Sequence, residues 1–291
     1  MISHSLQNPW PYSYTLFQRL VGLRNPRHLV STVLTRTRLA PLFTMTVGDV
    51  RLRFFPSSMS TVIWENPRAY GHDPTFLRRY LRPSDIFVDV GANIGYLTIV
   101  GAKAVGPNGK VFSFEAHPRI FGYLKENVAL NGLSNVTFHN LAIGNTNATV
   151  DFLECPGDDS QSWVAHGKGA MAIPMVSLDD ALLCEASIAL LKIDVEGYEK
   201  FVLEGAGRVL SHIKCVYFEC APSNLVRYGY SCEMLLNVVE RAGFKLYRLE
   251  DEVCHPVTSG YTQTVPCENL IGVRDSAEFL ARTGYLATMT Q

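Results

Sequence analysis

The residues best suited to chemistry fall in two stretches of the 291-residue chain, each a short apolar run that ends in an acid. In the first, Ile86 to Gly95 (IFVDVGANIG), Asp89 closes the run and the chain turns through Gly91, Ala92 and Asn93 to Gly95. From Ile94 onward the residues LTIVGAKAV take up helical spacing. A strand that feeds a helix through a tight glycine turn brings backbone N–H groups and a helix N-terminus up to a ligand. Gly91 and Gly95 have no side chain to hold that ligand away, and Asp89 can accept hydrogen bonds from it. In the second stretch, Ala189 to Glu199 (ALLKIDVEGYE), Asp194 closes the run and Glu196, Gly197 and Glu199 follow. Acids just beyond a strand's C-terminal end lie in the crevice where open α/β sheets bind ligands.

A nucleotide-like cofactor is the first expectation, and spacing selects among the candidates. A phosphate-gripping loop needs GxxxxGK[ST], and the dinucleotide fingerprint needs GxGxxG. The pattern here, Asp89-x-Gly91-x-Asn93-x-Gly95, has neither the lysine of the first nor the glycine register of the second. It resembles the first motif of S-adenosylmethionine-dependent methyltransferases with a Rossmann-like sheet, whose ligand carries a sulfonium and no phosphates. An acid beside the turn suits a cation better than a pyrophosphate. Glu115 closes a second predicted strand, Lys110 to Glu115, after the turn Gly106-Pro107-Asn108-Gly109. A carboxylate there can take both hydroxyls of an adenosine ribose. Tyr96 opens the first helix, His117 and Pro118 fit the adenine side, and Asn140, Leu141 and Ala142 follow the third predicted strand, Asn135 to His139, where they would flank the ring.

The elements that must position these groups read as alternating strands and helices. Helical spacing covers Phe121 to Val128, closed by Asn131-Gly132, and Ser231 to Gly243. Ser177-Leu178-Asp179-Asp180 has the form of a helix cap. Cys215 to Glu219, Phe244 to Leu249 and Asn269 to Val273 read as later strands, and the tail after Asp275 carries no readable pattern. Before the main fold, Thr46 to Ile63 alternates loosely, which suggests a strand pair. Between Trp64 and the turn at Arg82, Phe76, Leu77, Tyr80 and Leu81 make a helical face, and Tyr70, His72 and Asp73 lie just before that helix, a segment that could fold over the cofactor. Two short amphipathic helices are predicted before that, around Leu16 to Val21 and Leu29 to Leu34, in a region with no acid before Asp49. They read as a cap on the main domain or a dimer contact, with a membrane-surface or acceptor-carrier contact as the competing reading. Cys155 to Ala170 reads as a long polar loop, proposed as part of the acceptor site or its lid. The expected division is an arm over 1–45, a strand pair and helix over 46–82, a cofactor-binding domain over 83–276 and a tail over 277–291.

Composition narrows the function classes. With 47% hydrophobic and 18% charged residues the chain reads as globular. A net charge of −1 gives no field for holding nucleic acid. Seven cysteines with no CxxC pair suggest reduced thiols in a cytoplasmic protein, without zinc. No run approaches the length of a membrane span.

Taken in order, DVGANIGYLT, SFEAHP, NLAIGN, SLDD and KIDVEGYE resemble the FkbM family of S-adenosylmethionine-dependent methyltransferases, over roughly residues 60 to 275. The resemblance implies an α/β fold with a Rossmann-like seven-stranded methyltransferase sheet and a closing antiparallel pair, here carrying an N-terminal helical extension. It implies O-methylation of a hydroxyl on a sugar, glycoside or other natural product. Methyl transfer is an in-line displacement in which the reacting atoms are held roughly 3 to 3.5 Å apart. A positioned base contributes roughly 10²- to 10⁴-fold when the nucleophile is an alcohol. Glu196 and Asp194 are the candidate bases, Asp194 nearer the cofactor and Glu196 nearer the acceptor, with Glu219 third. Clustered acids also permit Mg²⁺, though no spacing demands it. The Asn/Asp-Pro-Pro-aromatic motif of N-methylating relatives is absent; the position reads DVEG. Two alternatives stand beside this reading: a non-catalytic cofactor-binding partner of a biosynthetic complex, and an NAD-dependent oxidoreductase, which the missing GxGxxG disfavours.

Overall fold

The computed structural model describes residues 26–288 other than 38, 68–70, 156–157, 166–170, 183–186, 259–260, 262 and 264. The first predicted helix, around Leu16 to Val21, and Tyr70 lie outside the described residues. A hairpin, β1 (Thr44–Val47) and β2 (Val50–Arg53), comes first. Next β3 (Ile86–Val90), β4 (Lys110–Phe114) and β5 (Val136–His139) alternate with helices Tyr96–Val105 and Pro118–Leu130. There follow β6 (Ala142–Gly144), β7 (Ala148–Cys155), β8 (Asp158–Ala165) and β9 (Met171–Ser177). The chain then returns through β10 (Ile188–Ile193) and β11 (Ile213–Cys220) to β12 (Lys245–Glu250), β13 (Val253–Pro256), β14 (Glu268–Val273) and β15 (Leu286–Ala287).

The main sheet has the order β15-β13-β12-β14-β11-β10-β3-β4-β5. Strands β11, β10, β3, β4 and β5 run parallel, and β14 lies antiparallel between β11 and β12. The seven strands from β12 to β5 form the expected Rossmann-like sheet with its closing antiparallel pair. The sheet is nonetheless nine strands wide, because β13 and β15 extend the β12 edge. Parallel strands covered on both faces read as continuous apolar runs, and β10 (IALLKI) is buried at every position, Lys192 included. Two apolar clusters cover the faces, one around Phe87, Ile99 and Leu124, the other around Val88, Leu191 and Val202.

Four sequence expectations change. The predicted strand pair ends at Arg53; Ser58–Glu65 is a helix, with the Ser57 hydroxyl accepting from the Ser60 amide at its start. The polar stretch after Cys155 is not a loop, since Asp158–Ala165 is a strand paired to β7. Together β6, β9, β7 and β8 form a separate four-stranded sheet. Polar residues in an edge strand show no alternation strong enough to mark them as β. The tail holds a helix, Ser276–Thr283, whose Asp275 side chain accepts from the Ala277 and Glu278 amides. The spacing of Asp275 and Glu278 was the legible cap signal. The helix predicted from Phe76, Leu77 and Tyr80 is present as His72–Tyr80, so His72 and Asp73 belong to it and do not precede it.

Helix Pro26–Arg36 docks on Ser58–Glu65. The Trp64 indole donates to the Arg27 carbonyl at 2.9 Å, and the Arg27 guanidinium sits 5.3 Å from that ring. Behind the first glycine turn, Asn127 is fully buried. Its amide oxygen accepts from Arg53 N–H at 2.8 Å and its amide nitrogen donates to the Ile94 carbonyl at 2.8 Å, which couples the hairpin to the turn. Asn127→Ala is expected to lower the unfolding free energy by about 1–3 kcal/mol, because it strands two buried backbone groups. Urea denaturation at constant m-value measures this, and an unchanged midpoint would show that water replaces the amide.

Candidate active site

The parallel strands end at one edge of the sheet, and the chain beyond each supplies a wall of a single cavity of about 1230 Å³. That exceeds the roughly 300–1,000 Å³ of ordinary small-ligand sites and leaves room for two ligands. Gly91, Ala92, Asn93, Tyr96, Glu115, His117, Ala142, Asp194 and Glu196 all line it. Asp89, Gly95 and Asn140 are absent from the wall.

Asp89 is instead sealed beneath the turn, with no exposed surface. One of its oxygens accepts from Thr98 at 2.6 Å, and Thr98 is in turn 2.8 Å from Ser113. The other, without a hydrogen bond, faces the Lys192 ammonium at 3.3 Å. Lys192 donates to the Gly91 carbonyl at 2.8 Å and lies 3.5 Å from an Asp194 oxygen. Burial pulls the Lys192 pKa down, but Asp89 and Asp194 outweigh it and keep the group charged. The charge of Asp89 therefore answers an internal cation. Sequence reasoning singled out the acids of KIDVEGYE and passed over its lysine; a lone cation inside an otherwise apolar strand was the available signal.

The glycines are also explained from within. A Cβ on Gly91 would sit 1.8 Å from the Asp194 carbonyl oxygen, so the two chains cross where only glycine fits. Asn140 donates to the Glu115 and Ala116 carbonyls at 2.9 and 3.1 Å and so steadies the chain that carries Glu115.

Glu115 accepts the Asn93 amide on one oxygen and the His117 amide on the other, both at 2.8 Å. Burial pushes its pKa up to about 7, against the pull of those amides. His117 is buried; its Nδ1 accepts from Arg119 N–H at 3.2 Å, so the other ring nitrogen carries the proton, 3.4 Å from Glu154.

The loop after β10 is built on Glu199. It is 1% exposed, and one oxygen accepts the Val195 and Gly197 amides at 3.1 and 3.2 Å. Burial pushes its pKa up to about 7. The loop it shapes holds Glu196 at φ 56°, a strained value for a residue with a side chain. Glu196 accepts from the Asn224 amide at 2.8 Å and lines the cavity. Nearby, Glu219 accepts from the Cys267 thiol at 3.0 Å, while its other oxygen is buried with no partner. Burial first, then the like charges of Asp194, Glu196 and Glu199, hold its pKa well above the carboxylate range. Asp73, raised chiefly by burial, accepts from Tyr217 at 2.6 Å and joins His72 on the wall. The four-stranded sheet closes the outer side with Phe152, Glu154, Ser162 and Val164. Among the described residues no group of three or more His, Cys, Asp or Glu side chains is arranged to hold a metal ion.

A Rossmann-like sheet with a glycine turn after its central strand and acids beyond two neighbouring ones defines the class of a methyltransferase. The match to the methyltransferase FkbM domain, over residues 89–246, covers more than half of the chain, which belongs to that family. Two relatives are the 2-O-methyltransferase NoeI of Sinorhizobium fredii, 26% identical over 165 residues, and the hexuronic acid methyltransferase AglP of Haloferax volcanii, 29% identical over 140 residues. These matches cover 50% and 46% of this chain, and 66% and 55% of the relatives. A solved S-adenosylmethionine-dependent O-methyltransferase from Thermotoga maritima matches 80% of this chain and 78% of its own, at 17% identity and a TM-score of 0.41. S-adenosyl-L-methionine is the cofactor. The site suits it by its own groups: an apolar slot at Phe114, Leu141 and Ile143, a carboxyl at the second strand's end, and acids toward a cation.

Two outcomes test this electrostatic reading. Lys192→Met leaves Asp89 buried without its cation and is expected to cost about 3–5 kcal/mol in chemical denaturation. Adding Asp89→Asn should recover part of that loss, and strict additivity of the two changes would refute the pairing. For Glu199, a folded pKa near 7 above an unfolded value near 4.5 means that the folded state holds the proton more tightly. Its contribution to stability is full below about pH 4.5 and declines until about pH 7, by at most about 1.4 kcal/mol per pH unit. Glu199→Gln should flatten that decline, as read from unfolding free energies measured across the range.

Proposed function

We propose that the protein transfers a methyl group from S-adenosyl-L-methionine to a hydroxyl oxygen of a sugar, glycoside or related small molecule. The observation that carries this reading is the gathering of Asp194, Glu196 and Glu219 with the Gly91 turn and Glu115 around one cavity of about 1230 Å³. The printed activities of NoeI and AglP, a 2-O-methyltransferase and a hexuronic acid methyltransferase, support a sugar as acceptor.

The bound cofactor supplies an electrophilic methyl group on a cationic sulfur. Glu115 would take the ribose hydroxyls, since each of its oxygens retains a lone pair beyond the amide it already accepts. Phe114, Leu141, Ala142 and Ile143 would flank the adenine, with His117 at its edge. Asp194, with a side chain 42% exposed, offers negative charge to the cationic end while Lys192 fixes its position.

The acceptor side divides the acids by environment. Glu219, whose proton is held more tightly through burial and the like charges of Asp194, Glu196 and Glu199, can donate a hydrogen bond in its protonated form. Its unpartnered oxygen is a place for an acceptor hydroxyl. Glu196, oriented by Asn224, is the residue assigned to take the hydroxyl proton. Two like-natured groups set apart by their surroundings thus receive different roles.

Glu196→Gln is expected to bind S-adenosylhomocysteine as the parent does, while labelled-methyl transfer falls by about 10²- to 10⁴-fold. Glu115→Ala should weaken that binding at least about tenfold, the loss of a hydrogen-bonded pair to a charged group. Calorimetry reads the binding, and transfer to paired acceptors, each aglycone with and without its sugar, reads the turnover. Parental turnover by Glu196→Gln would remove the base assignment. Label on the aglycones alone would remove the sugar.

A further inference from the structure

Cys220 and Cys232 meet across the segment that forms the acceptor-side wall. Cys220 ends β11 and is 1% exposed; Cys232 begins helix Cys232–Arg241 and is half-buried. Their sulfurs lie 2.6 Å apart, a separation from which a bond of about 2.05 Å is reached by a small side-chain adjustment. Gln263 brackets the pair: its amide oxygen is 3.4 and 3.2 Å from the two sulfurs, and its nitrogen donates to the Cys220 carbonyl at 2.7 Å. The two sulfurs are not equivalent. Cys232 stands at a helix N-terminus, where the backbone favours a negative charge, and receives the Cys220 thiol hydrogen. That hydrogen bond draws the Cys232 pKa below its ordinary value, against the opposing effect of burial.

We propose that Cys220 and Cys232 form a reversible redox pair, with Cys232 the attacking thiolate, Cys220 the resolving thiol and a hydroperoxide the oxidant. The Cys232 thiolate attacks one peroxide oxygen, the O–O bond breaks, and a sulfenic acid forms on Cys232 as the other oxygen leaves and takes a proton. The Cys220 sulfur then attacks the sulfenic sulfur; the S–S bond forms, the S–O bond breaks, and the oxygen leaves as water with the Cys220 proton. Two thiols lose two protons and two electrons, and for hydrogen peroxide both oxygens leave as water. The bond closes a loop over residues 221–231, which carries Ser223, Asn224 and Arg227 on the cavity wall. Asn224 is the residue that orients Glu196. Oxidation therefore tightens the support of the acceptor-side acid, at a distance from the glycine turn.

The test uses the full chain, reduced and then treated with hydrogen peroxide, followed by tryptic digestion without reductant. Cleavage after Lys214, Arg227 and Arg241 places Cys220 and Cys232 in different peptides, 215–227 and 228–241. The expected product is those two peptides joined through Cys220 and Cys232, with two hydrogens lost and separation on adding dithiothreitol. Cys220→Ser should leave Cys232 as a sulfenic acid that dimedone traps, and Cys232→Ser should leave Cys220 unmodified. Hydrogen exchange of the amides in 221–231 should slow by at least about tenfold on oxidation of the parent. Over-oxidation of Cys232 beside an intact Cys220 thiol, or linkage through Cys215, would overturn the pair. Unchanged exchange would overturn its hold on the wall.

Discussion

The buried Lys192 ammonium holds the site together. It stands on β10, one strand across from Asp89 on β3, and it reaches the Gly91 carbonyl, Asp89 and Asp194 at once. A lone charge in this position would be untenable, because ionic groups leave water only when paired and hydrogen-bonded. The paired set is tolerable, and it confers specificity of position. The turn after β3 and the chain after β10 cannot move apart without exposing an unpaired charge. Gly91 permits this closeness, since any side chain there would strike the Asp194 backbone. The glycine turn and the acid-bearing loop after β10 are thereby held in one register.

Around that tie, five carboxyl groups of similar intrinsic acidity are given different work by their surroundings. Glu199 is consumed in shaping the loop that bears Glu196, and its acidity is lowered by burial despite two backbone amides. Glu115 satisfies two amides and still faces the cavity. Glu219 has its proton affinity raised by burial and by the like charges of its neighbours. Asp194 is partly in solvent beside a cation, and Glu196 is aimed by an amide. Spacing in sequence shows only that these acids fall at or just beyond strand ends. Solvation and partner geometry separate them.

The outer wall follows a different logic. It is supplied by the four-stranded sheet and by helix Ser58–Glu65, which contributes Ser58, Met59, Thr61 and Val62 to the cavity lining. Neither belongs to the parallel core, so neither is bound by the alternation of strand and helix that organises the cofactor side. Ser162 and Val164 reach the cavity because residues two apart share a face of a strand. Variation in such peripheral elements alters what a site accepts without disturbing how it holds a cofactor.

The sequence by itself determined the strand–turn–helix around Gly91, the acid-bearing ends of β3, β4 and β10, and the family. These depend on local signals: apolar runs, glycines where φ is positive, and acids at strand ends. The same locality explains its errors. It could place Asp89 beside the turn but not see it face inward to Lys192, because a side chain's partner across a parallel sheet lies about a hundred residues away. It read Asp158 to Ala165 as loop, since pairing with β7 compensates for a polar sequence only after the chain has folded. It named Glu196 and Asp194, with Glu219 third, but could not show what surrounds each of them. Only the tertiary structure gave each acid its surroundings, because burial and neighbouring charge, which set a carboxyl's proton affinity, exist only once the chain has closed around it.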